Sequence, residues 1–131
     1  MKQKYLIKKH KLPIYGGNII YVEHTKSNFY DVLDIVCNRY GLNPETPEDL
    51  NLCHGLSYEY YKEGKGQCFY LFVNTDYKSE YLDTMCHEIY HMVQNIIKHF
   101  GIVEIRGEAN EPVAYLTGYL SSLLINKKLV K

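Results

Sequence analysis

The stretch TMCHEIYHMVQ, residues 84–94, places two histidines four positions apart with a glutamate directly after the first. On an α-helix, positions i and i+4 lie on one face, one above the other, so His87 and His91 can aim both imidazoles at one metal ion. Glu88 is turned by about 100° from His87. It therefore stands beside such an ion rather than on it, where it can take a proton from a metal-held water. This is the chemistry of the His-Glu-x-x-His motif: two imidazoles for zinc and a carboxylate as general base.

Helical position sharpens this short motif. With Leu82 as origin, Met85, Cys86, Ile89, Met92, Val93, Ile96, Ile97 and Phe100 fall within about 80°, on one wide apolar stripe. His87 and His91 fall about 140–180° away, so they are expected on the polar side rather than in the core. Cys86, on the stripe, is expected to be a buried and inert thiol. Cys53-His54 could be reactive, but no third group is evident to orient it.

A catalytic zinc usually takes three protein ligands and keeps one open position. His99 lies more than two turns past His91 and cannot share the ion. The segment EPVAYLTGYLSSLLINK, starting at residue 111, offers a better candidate. Glu111 heads a face that carries Ala114, Tyr115, Gly118, Ser121 and Ser122, while Val113, Leu116, Leu120, Leu123 and Leu124 lie opposite. Small residues let helices approach closely. This face is therefore expected to press on the His87/His91 side and deliver Glu111 to the metal. Glu108 is the rival. Pro112 puts the helix start near Glu111, which leaves Glu108 in the preceding loop. There it could be the alternative ligand, the acceptor of a ligating histidine's other N–H, or a solvated carboxylate. Tyr115, one turn past Glu111, is a candidate contact for the substrate or an oxyanion.

The elements that must position these residues follow from periodicity and turn chemistry. Residues 1–13 read as an irregular or extended lead-in ending at Pro13. A strand is expected near 18–23, and a helix over about 28–40 with a Ser/Asn cap and a stop at Gly41. A Pro-rich loop follows. GLSYEYYKEGKGQCFYLFVN then reads as a hairpin with arms near 55–62 and 67–74. A long helix over about 77–99 stops at Gly101, and a last helix starts near 111. The order predicts one α+β domain over 1–131, a small antiparallel or mixed sheet packed on the active helix.

With 131 residues and no net charge, the whole-molecule field does not argue for nucleic acid or membrane. Lysines crowd both ends of the chain, which reads as solvated tails. No apolar run approaches a bilayer span, and no apolar region follows the basic start. Cys37, Cys53, Cys68 and Cys86 form no Cys-x-x-Cys pair. The expectation is a cytoplasmic protein with reduced thiols.

HEIYH followed by EPVAYL resembles the zincin metallopeptidases with a glutamate as third ligand, the gluzincin type. More narrowly, the chain resembles small, uncharacterised zincin-like proteins encoded by phages or prophages, loosely along its length and well over residues 84–120. The resemblance implies Zn2+ held by His87, His91 and Glu111, with Glu88 as general base and a peptide or protein as substrate. It also implies that an edge strand binds extended peptide by strand addition. CFYLFVN is expected to be central and LSYEYY to be the edge. Unlike larger peptidases of this class, the chain is expected to have no second domain to wall the cleft, so a protein partner could complete it. Two other readings are a zincin-scaffold module that grips a protein without cutting it, and an interaction domain without metal.

Overall fold

In a computed structural model, described over residues 4–12, 16–41, 54–62, 66–100 and 111–130, the chain is α+β. Four strands form one mixed sheet: β1 (Leu6–Lys11), β2 (Asn18–His24), β3 (Gly55–Lys62) and β4 (Gly66–Asn74), in the order β1-β2-β4-β3. The helices are α1 (Phe29–Tyr40), α2 (Tyr81–His99) and α3 (Glu111–Leu124). A 3₁₀ turn, Lys78–Glu80, leads into α2. β2 and β4 run parallel, and each outer strand pairs antiparallel with its neighbour.

The two central strands are near-continuous apolar runs because both of their faces are covered. Ile19, Tyr21, Phe69, Leu71 and Val73 pack with Met85, Ile89, Met92, Val93 and Ile96 of α2 and with Leu116, Leu120 and Leu124 of α3. Ile20, Val22, Tyr70 and Phe72 point the other way, onto Phe29, Val32, Leu33 and Val36 of α1. The result is three layers, with α1 on one side of the sheet and α2 with α3 on the other. Gly41 closes α1 in the left-handed conformation (φ 70°), its N–H donating to the Cys37 carbonyl. Asn28 precedes α1 but makes no side-chain cap. Its amide is engaged elsewhere, Oδ1 accepting from Thr25 N and Nδ2 donating to the Lys4 carbonyl.

The lead-in contains an added strand, β1, where an irregular or extended segment was expected. LIKKHK has no clean alternation, and it becomes a strand by pairing with β2, from Leu6 opposite Glu23 to Lys11 opposite Asn18. The hairpin arms match the expected ranges, with CFYLFVN central and LSYEYY at the edge. The Pro-rich loop and the stop at Gly101 lie outside the described residues. Among the described residues, no helix is long and apolar enough to cross a membrane.

The β3–β4 register determines what the sheet edge presents. Asn74 N–H donates to the His54 carbonyl at 2.8 Å. Antiparallel pairing alternates, so residues 56, 58, 60 and 62 also turn their main-chain groups toward β4. Gly55, Ser57, Glu59 and Tyr61 turn theirs to the outer edge.

Candidate metal centre and cleft

α2 carries His87 and His91 on its exposed face. Their Nε2 atoms converge to 3.1 Å, with ring centroids 4.7 Å apart and planes at 75°. Two imidazoles bound to one tetrahedral zinc at about 2.0–2.1 Å hold their nitrogens about 3.3–3.4 Å apart. The observed separation is close to that spacing, and it is also a hydrogen-bond distance between the two rings. The donor chemistry, two imidazole nitrogens with a carboxylate nearby, suits a borderline ion such as zinc.

Glu88 does not share that face. It is 7% exposed, enclosed between α2 and β3. Its Oε2 lies 3.8 Å from His87 Nε2. Burial pushes its carboxyl above the usual carboxylate range. His87, His91 and a hydrogen bond from the Ser57 main-chain N–H oppose that rise. A general base works best when raised toward the operating pH, and burial moves Glu88 in that direction.

The wheel centred on Leu82 misplaced two residues. Leu82 is 46% exposed, and Cys86 is exposed rather than buried. The buried residues of α2 are Tyr81, Thr84, Met85, Glu88, Ile89, Met92, Val93, Ile96 and Ile97. Their arc is rotated by about 60° from the expected centre, toward Glu88. The rotation follows from the sheet, because β3 reaches over the Thr84–Glu88 side.

Glu111 is the first residue of α3 and is exposed. Among the described residues, no third His, Cys, Asp or Glu joins the histidine pair in a group able to hold a metal ion. Glu108 lies outside the described residues. The small-residue face of α3 does not press on the histidine side as expected. Ala114, Tyr115, Gly118 and Ser122 are exposed, and a Cβ at Gly118 would meet nothing within 4 Å. α3 instead joins α2 in the core through Leu116, Leu120 and Leu124, because burying leucines gains more than burying alanine and glycine. Tyr115 is stacked on Tyr119, with centroids 6.1 Å apart.

A cleft of about 440 Å³ opens beside the pair, lined by His54, Glu80, Asp83, Thr84, His87 and Glu88 among others. The sequence left His54 without an orienting group, and the fold supplies two. Its ring stacks on Tyr77 with centroids 3.8 Å apart, and its Nδ1 lies 3.1 Å from Glu80 Oε2. No spacing rule links residues 54, 77 and 80. They meet because His54 pairs with the end of β4 and the chain turns there into α2. Compared with family models, curated proteins and solved structures, the chain matches none.

Proposed function

We propose that the chain is a zinc-dependent hydrolase of zincin type, most simply a peptidase. The observation that carries this reading is the convergence of His87 and His91 Nε2 to 3.1 Å beside a buried Glu88. His87 and His91 are two ligands. Glu111, at the head of a helix anchored on α2 by its leucine face, would have to move onto the pair to be the third, and Glu108 is its alternative. Bound there, zinc supplies an acidified water and polarises the scissile carbonyl.

The chain's own residues do the rest. Glu88 takes the proton from the attacking water and returns it to the leaving nitrogen. The outer edge of β3 offers main-chain donors and acceptors at Glu59 and Tyr61, to which an extended peptide can add as a strand. His54, oriented by Glu80 and Tyr77, faces the same cleft as Glu88 and is placed to donate to the substrate. Glu88→Gln is expected to retain zinc and lose about 10²-fold or more in kcat, the usual worth of a general base. Peptide hydrolysis by Glu88→Gln at the wild-type rate would remove Glu88 from the mechanism.

A zincin-scaffold module that binds a protein without cutting it is the second reading. It is favoured by the exposed apolar side chains on the same helices: Leu82, Tyr90 and Tyr115. Capture of a partner that stays intact over hours with zinc-loaded protein would support it. Cleavage of that partner would support the first reading.

A further inference from the structure

Gly55, the first residue of β3, is not among the glycines with positive φ. Its backbone would accept any residue, so the demand for glycine has another source. A Cβ built there would stand 2.6 Å from Thr84 Cγ2, 2.8 Å from Glu88 Cγ and 3.3 Å from the Phe72 carbonyl oxygen. Ordinary carbon–carbon contacts lie at about 3.5–4.0 Å. Strand and helix therefore meet with no room for a methyl group, and they meet on Glu88.

Two residues further on, the Ser57 N–H turns away from β4 by the register, to the edge where it is the main-chain donor beside the Glu88 carboxylate. The Glu88 side chain is thus held close at its Cγ by Gly55, with the Ser57 N–H beside its carboxylate. We propose that Gly55 and the Ser57 amide form the positioning device of Glu88, so that glycine is required at position 55 by the site and not by the sheet. Thr84 and Glu88 are side chains that can turn about χ1, whereas the β3–β4 ladder is fixed by main-chain bonds. A methyl group at position 55 therefore displaces the carboxylate before it breaks the strand.

The consequence for rate rests on the hydrolase reading, but the contact itself does not, and the experiment separates them. Gly55→Ala is expected to stay folded and keep its zinc. Its kcat should fall about ten- to a hundred-fold, as misplacement of a catalytic group does, with KM within about two-fold of wild type. Gly118→Ala, in open space on α3, serves as the glycine control and leaves kcat unchanged. Independently of activity, amide exchange in the zinc-free protein reads the contact. Ser57 should exchange at least about ten-fold more slowly than Glu59, which faces the same edge, and Glu88→Ala should abolish the difference.

Equal exchange at Ser57 and Glu59, or protection that survives Glu88→Ala, overturns the proposal whether or not the protein is active. Full kcat in Gly55→Ala of an active protein overturns the positioning role. Protection in a wild type that neither binds zinc nor hydrolyses peptides would establish the contact and sink the hydrolase reading.

Discussion

Burying Glu88 between α2 and β3 strips its carboxylate of water, and the Ser57 N–H with two nearby imidazoles restores part of that loss. The types and spacing of His87, Glu88 and His91 were legible in the sequence, because helical geometry alone puts the two imidazoles together. The burial of Glu88 was not, because it depends on which side of α2 the edge strand covers. His24 poses the opposite electrostatic problem. It is 3% exposed against Phe29 and Phe72, and burial lowers its pKa, opposed by the Thr25 carbonyl and Asp76. A histidine whose folded pKa lies below its unfolded value of 6.5 contributes no penalty above that value. Stability is lost as the pH falls from there through the folded pKa, since the unfolded chain takes up the proton first. Urea titrations at pH 7.5 and 5.5 should show this loss in wild type and a smaller one in His24→Gln. Equal losses would remove His24 as a source of acid sensitivity.

At the scale of elements, β3 is the piece on which substrate binding turns. Its hairpin with β4 was readable from two β-rich runs around a glycine-containing turn. Its place at the edge followed from CFYLFVN leading directly into the active helix. β1 was not readable as a strand, since LIKKHK carries no period-two apolar pattern and is defined by pairing with β2. The small-residue face of α3 misled for a related reason, because the leucine face on the same helix has the stronger claim to the core. Register makes a sharp prediction about β3. Glu59 points its N–H outward, so Glu59→Pro removes an edge donor without cutting the ladder, whereas Tyr60→Pro removes a bond to β4. The first variant should fold and raise KM for peptide. The second should lose about 1–3 kcal/mol of stability, the cost of leaving a ladder carbonyl of β4 without its donor. Circular dichroism melts and peptide kinetics distinguish them, and equal destabilisation by both would refute the assigned register.

At the scale of the whole molecule, the sheet and the layer of α2 and α3 are tied together at one end by a polar network. Tyr21 Oη donates to Glu23 Oε2 at 2.6 Å and meets Tyr81 Oη at 2.9 Å. Tyr81 Oη accepts from Asn126 N at 2.8 Å, and Asn126 Nδ2 donates to Glu23 Oε2 at 2.9 Å. The network joins β2, the start of α2 and the segment after α3, which holds α2 and α3 in register over the sheet. Tyr81→Phe leaves the part-buried Asn126 N–H without its acceptor and takes one partner from Tyr21 Oη, which keeps Glu23, and should cost about 1–3 kcal/mol in urea denaturation. A cost near zero would mean that apolar packing alone sets the arrangement. That arrangement presents His87 and His91 to solvent beside Glu88, and whether they hold a metal decides the functional reading. The most direct measurement is elemental analysis of untagged wild type and His87→Ala after equilibration with zinc at neutral pH. The account requires about one zinc per chain in wild type and its loss in the variant. No zinc in either, or equal zinc in both, would contradict it.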